Sequence, residues 1–138
     1  MSTTEPTLRT EDLGKDYGDG LGLQTLDLVV GPGELIMLVG PNGAGKSTFL
    51  GLAAGLVEPS KGSVTVNGHA VGTIEARAAT SYLPDAPVLY DDLSVNEHLE
   101  YVARMHNTVD WEDYADELLD MFNLVERADD LPSTFSRG

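Results

Sequence analysis

Residues 40 to 48 read Gly-Pro-Asn-Gly-Ala-Gly-Lys-Ser-Thr, and residue types at this spacing suit the holding of phosphates. From Gly40 to Ser47 they satisfy the phosphate-loop pattern Gly-x4-Gly-Lys-Ser/Thr. A nucleoside triphosphate is densely anionic and needs many donors packed closely. Gly40, Gly43 and Gly45 let the backbone take positive φ and approach the phosphates with no Cβ in the way. The backbone N–H groups then make a concave anion nest, and a helix starting there points its positive end at the same place. Lys46 reaches the β- and γ-phosphates. The Ser47 hydroxyl is a ligand for Mg²⁺, which takes few protein ligands beside phosphate oxygens. Nucleotide contacts are expected from Gly40, Pro41, Asn42, Gly43, Ala44, Gly45, Lys46, Ser47 and Thr48. The bland alternative is a glycine-rich turn. With Gly near ~7% of residues, a chance match in a chain of this length is on the order of 1%.

The flanks supply what such a loop needs. Leu35-Ile36-Met37-Leu38-Val39 is an apolar run of the kind expected for a buried parallel strand. Ser47 to Leu56 is compatible with a helix. Upstream, residues 7–13 read as a strand, residues 14–22 as a loop holding four glycines and Tyr17, and residues 23–30 as a second strand with Leu26, Leu28 and Val30 on one face. Downstream, the short β-branched runs around Asn67-Gly68 signal a hairpin. Residues 74–79 fit a short helix and residues 80–83 another strand. After Pro84 the character changes. Ser94-Val95-Asn96-Glu97 is a capping box opening a helix to about His106. A second helix fits Trp111 to Val125, with Asp110 as its N-cap.

Composition narrows the function classes. The 138 residues suit one domain, which can bury about 68–70% of its unfolded surface. Cysteine is absent, so disulfides and thiolate metal sites are excluded. No apolar run approaches the ~20 residues of a membrane span. Twenty-three acidic residues against eight basic ones give a net charge of −15. That balance argues against nucleic acid and anionic lipid as partners. Eleven of the acids lie between Ser94 and Asp130 and read as a solvated outer face. His69, His98 and His106 read as surface or packing residues.

With these motifs in order, the chain resembles the ATP-binding domain of ABC transporters over nearly its whole length. The phosphate loop matches that family's version. Tyr17 falls where the family keeps an aromatic that stacks on adenine. Gly31-Pro32-Gly33-Glu34 matches the turn entering the phosphate-loop strand, and Ser81-Tyr82-Leu83-Pro84-Asp85 looks like the approach to the Q-loop. Residues 89–99 look like the start of the helical subdomain. Phe135-Ser136-Arg137-Gly138 looks like the start of the signature motif, with Arg137 in place of its first glycine.

The resemblance implies an α/β P-loop NTPase fold: a RecA-like core with an antiparallel β subdomain, plus a small helical subdomain, the C-terminal part of the core being missing. Residues 1–85 would be the β subdomain and nucleotide-binding core, and residues 86–138 the acidic helical subdomain. It implies an ATPase subunit that couples ATP and Mg²⁺ to transport, with Lys46 and Asp85 in catalytic roles and Ser47 and Asp85 on the metal. Asp85 stands where the family usually has Gln; a carboxylate can bind Mg²⁺ but donates no hydrogen bond at neutral pH. Ser136 and Gly138 would contact the nucleotide of a second subunit. The implied partners are a membrane-spanning permease, docked near residues 85–93, and a second ATP-binding subunit, with no nucleic acid. The implied location is cytoplasmic, on the inner face of the membrane through the permease. The family's acidic strand, catalytic glutamate and switch histidine lie beyond the signature, as do strands flanking the phosphate-loop strand. The 138 residues alone are therefore expected not to hydrolyse ATP. Two alternatives stay open: a non-hydrolytic nucleotide-binding module, and a soluble ABC-family ATPase.

Overall fold

The computed structural model describes residues 5–18, 20 and 22–136. The chain divides between Leu83 and Pro84 into two compact units.

The first unit is built on a sheet of four antiparallel strands: β1 (Leu8–Lys15), β2 (Leu23–Val30), β3 (Lys61–Val66) and β4 (His69–Ala70), in the order β2-β1-β3-β4. β2 covers the residues whose alternation announces it, with Leu26, Leu28 and Val30 half-buried between exposed neighbours. The β3–β4 turn has Asn67 at φ 47° and Gly68 at φ 78°, and both positive angles are what a type I′ turn requires. β1 is less regular. Its register shifts between Thr10 and Leu13 and again before Lys15. At that irregularity buried Thr10 replaces ladder bonds: its Oγ1 donates to Leu26 O at 3.0 Å and accepts from Leu28 N at 2.9 Å. Gly62 lies against the backbone carbonyls of Glu11 and Asp12, where a Cβ has no room. Helix α1 (Lys46–Ala53) covers the sheet, and Phe49 and Leu52 join Leu13 and Val64 in the core. α1 stops where Gly55 turns left-handed, with Gly55 N–H bonded to Leu52 O and Leu56 N–H to Gly51 O, a Schellman closure. Helix α2 (Ile74–Ala78) is capped by the Thr73 hydroxyl.

Two expected strands do not form. Residues 35–39 take no strand pairing, and Leu35, Met37 and Val39 are 94%, 82% and 84% exposed. A strand satisfies its N–H and C=O groups on neighbours, and every described ladder is antiparallel and occupied by other segments. Residues 80–83 are likewise unpaired. Thr80 folds back onto α2, its N–H bonding Arg77 O and its hydroxyl donating to Ala76 O at 2.7 Å.

The second unit holds α3 (Val95–Met105) and α4 (Trp111–Met121), which pack together and bury Ala103, Ala115 and Leu119. The capping box is present in full: Ser94 Oγ accepts from Glu97 N and Glu97 Oε2 accepts from Ser94 N. Asp110 does precede α4, but at φ 52° its side chain makes no cap bond. A left-handed residue turns its carboxylate away from the helix's free N–H groups, so the expected cap is absent. α4 also ends before Val125. Asn123 is left-handed at φ 55°, and Leu124 N–H bonds Leu119 O at 2.7 Å, closing the helix one turn early.

Candidate functional site

The phosphate loop is shaped by contacts within itself. Lys46 Nζ donates to the carbonyl oxygens of Gly40 at 2.6 Å and Pro41 at 2.8 Å. Ala44 N–H bonds Pro41 O at 3.2 Å. Gly43 and Gly45 adopt φ 83° and 87°, as expected; Gly40 does not take positive φ. Its need is space instead, since a Cβ there would come 3.1 Å from Ala44 Cβ. Gly45 carries both constraints: a Cβ would meet Gly22 O and Leu23 Cδ1 at 3.0 Å.

What this curl leaves free is the chemistry. Gly45 caps α1 with no side-chain bond, and Phe49 N–H is the first in the helix to find a backbone carbonyl, Gly45 O at 2.8 Å. Among the described residues, the N–H groups of Gly43, Gly45, Lys46, Ser47 and Thr48 have no protein acceptor. Unpaired donors at a helix start, beside an ammonium, are an anion site by geometry and by field. They face a cavity of about 300 Å³ lined by Gly22, Asn42, Gly43, Ala44, Gly45, Lys46, Ser47 and Thr48. A second cavity of about 520 Å³ shares Gly22, Gly43 and Ala44 and runs along residues 23–26. The exposed Ser47 hydroxyl is one hard oxygen donor on the wall. Among the described residues no carboxylate lines that cavity, so those residues fit a Mg²⁺ held chiefly by phosphate oxygens rather than by a protein cage.

The other expected site residues are placed differently. Tyr17 is half-exposed and does not line the phosphate cavity; the Lys15 ammonium stands 5.2 Å from its ring centroid. Asp85 lies in the second unit, exposed, and makes no hydrogen bond or ion pair among the described residues. Ser136 is exposed. Gly138, and Arg137 before it, lie outside the described residues.

Three residues given no site role from the sequence, His98 among them as a surface or packing residue, prove to matter to these segments. Gly22 forms part of the cavity wall, and a Cβ on it would run into the backbone carbonyl of Lys15. The glycine spacing of residues 14–22 is the only signal of this in the sequence. His98 ties the end of the 84–93 segment to α3: its Nε2 accepts from Tyr90 N–H at 3.0 Å and its Nδ1 donates to Ser94 O at 2.8 Å. That pair of bonds suits the tautomer with the proton on Nδ1. Tyr90 also bonds Tyr101 hydroxyl to hydroxyl at 3.2 Å, and this contact pushes the Tyr101 phenol above its ordinary value. The third is Arg127, which braces the segment leading to Ser136.

The sequence from residue 23 to 138 matches the family model described as ABC transporter. Among curated proteins, the chain is 33% identical over 133 residues to the SkfA peptide export ATP-binding protein SkfE of Bacillus subtilis, covering 95% of this chain and 56% of that protein. It is 35% identical over 135 residues to the linearmycin resistance ATP-binding protein LnrL of Bacillus subtilis, covering 95% and 43%. Among solved structures it superposes with a TM-score of 0.82 and 36% identity on an ATP-binding subunit of an ABC transporter, covering 94% of this chain and 56% of the other. The chain thus spans about half the length of the relatives it matches.

Proposed function

The chain belongs to the ABC transporter family and has its P-loop NTPase fold, and from that premise we propose that it is the nucleotide-binding portion of a subunit that couples ATP binding and hydrolysis to transport across a membrane. The observation that carries this reading is the set of unpaired N–H groups of Gly43 and of Gly45 to Thr48 at the start of α1, with Lys46 folded over the same loop.

Each residue then has a task. The free N–H groups of Gly43 and of residues 45–48 take the phosphate oxygens. Lys46 exchanges its two carbonyl acceptors for oxygens of the β- and γ-phosphates. The Ser47 hydroxyl would hold a Mg²⁺, and that ion would supply neutralisation of the phosphate charge. Little covalent chemistry falls to the protein, so rate comes from positioning and charge. Tyr17 stacks on the base, a modest and base-tolerant contact. Asp85 takes the place of the family's Gln near the metal and the attacking water. Ser136 and Gly138 close on the nucleotide of a second subunit, so turnover needs two copies. A membrane-spanning permease docks at residues 85–93 and holds the subunit on the inner face of the membrane. No helix among the described residues is long and apolar enough to cross one.

The test is ATP titration of the Lys46→Ala variant by calorimetry, with circular dichroism to verify folding. Loss of the ammonium is expected to weaken binding by about 2–3 kcal/mol, on the order of 100-fold. Unchanged affinity in a folded Lys46→Ala protein overturns the site.

A further inference from the structure

Residues 127–136 form a strap, and one side chain braces it. Arg127 Nε donates to Asp130 Oδ2 at 2.7 Å. Its Nη2 donates to Thr134 O at 3.2 Å and to Thr134 Oγ1 at 3.1 Å. Its Cζ lies 3.8 Å from the centroid of the Phe135 ring. A guanidinium can do this because it is a plane: its edge meets oxygens while its face meets a ring. The next residue after Phe135 is Ser136.

The other end of the strap is fixed to α3. The first N–H groups of that helix have no partner inside it. Val95 N–H bonds Asp130 O at 3.1 Å and Asn96 N–H bonds Ala128 O at 2.9 Å, while the capping box serves the next. The strap therefore caps α3 through its backbone and holds the Ser136 approach through Arg127. The Arg127 side chain is 42% exposed, so its ion pair adds little to stability. Four contacts made by one partly solvated group on three residues argue for fixing a conformation.

We propose that Arg127 is a positioning residue: it sets the orientation in which Ser136 is presented to the nucleotide held by a second copy. The proposal rests on the reading of Ser136 given above. It adds that this orientation is imposed by the arginine plane, with α3 as the anchor.

The chain has no cysteine, so Ser136→Cys accepts a single nitroxide label. Adding Arg127→Gln is expected to shift the label's electron paramagnetic resonance spectrum from slow to fast motion. Adding Arg127→Lys, which keeps the charge and loses the plane, is expected to do the same. In a full-length subunit that carries the catalytic half the resemblance implies, assembled unlabelled with a second copy and its permease, Arg127→Gln is expected to lower kcat at saturating ATP by about tenfold or more. Affinity for ATP at the copy's own Gly40–Thr48 loop is expected to stay within about twofold. A merely structural role would lower the melting temperature of the second unit without splitting kcat from binding. A label as slow in Arg127→Gln as in its parent overturns the proposal. So does a fast label with full kcat, when Ser136→Ala in the same assembly loses kcat. If Ser136→Ala also keeps full kcat, the assignment of Ser136 to the nucleotide has failed, and the positioning role falls with it.

Discussion

Residues 35–39 and residues 40–48 are neighbours in the chain and opposites in structure. The loop is complete in itself: Lys46 bonds the carbonyls of Gly40 and Pro41, Ala44 bonds Pro41, and two glycines supply the positive angles. The apolar run before it has nothing to pair with, and most of its side chains stand in water. The difference lies in where the partners are. The loop's lie within about one helical turn of sequence. Those of a parallel strand lie a crossover or more away. A feature whose partners are local can be finished by a short stretch of chain; one whose partners are distant depends on what the rest of the fold supplies.

Three measurements bear on that contrast. The largest effect belongs to Gly45→Ala, because a left-handed angle and two close neighbours meet at this residue. It is expected to cost about 1–3 kcal/mol of stability in denaturant titration, and to weaken ATP binding as well. A neutral result would mean the loop is looser than its bonds suggest. Next comes the capping box, the other feature closed within a few residues. Ser94→Ala is expected to cost about 1 kcal/mol. The Ser94 backbone N–H and hydroxyl hold the Glu97 carboxyl below its ordinary value of 4.5. Because the folded value is the lower one, the contribution of Glu97 is complete above the unfolded value and is lost as pH falls through the folded value. The difference in stability between parent and Glu97→Ala should therefore shrink on acidification through that window, and a difference that grows there would contradict the bond. The smallest effect is expected at the exposed run. Met37→Lys should change the stability of this chain by less than about 0.5 kcal/mol. A loss several times larger would show residues 35–39 buried in solution and would end the contrast.

What was legible in the sequence follows the same division. β2, the Asn67-Gly68 turn and the capping box each depend on residues within one element, and their patterns announce them. The phosphate-loop helix was legible for the same reason. The strands expected at 35–39 and 80–83 were read from apolar and β-branched runs, which state a preference without naming a partner. Asp110 was a fair N-cap by residue type, yet its side chain makes no cap bond because its backbone turned left-handed. The bulged course of β1 was hidden because it answers to Gly62 and Thr10, one of them across the sheet. Arg127 lies in an acidic stretch where nothing in the residue pattern singles it out. Its role comes from a 3-10 turn that brings Thr134 and Phe135 back to it, and no periodicity predicts that. The placements of Tyr17, Asp85 and Ser136 at a nucleotide rest on the family resemblance.

Helix α1 does two jobs at once. Its first residues present the free N–H groups, and its middle supplies Phe49 and Leu52, half of the four-residue core over the sheet. An anion that settles on the start of that helix therefore also steadies the packing of the sheet beneath it. Whatever binds there is coupled by mass action to the folding of the first unit, by about 2.7 kcal/mol at a hundred times its dissociation constant. The second unit has its own core in α3 and α4. Nucleotide level would then be felt by the first unit as a change in how long it survives.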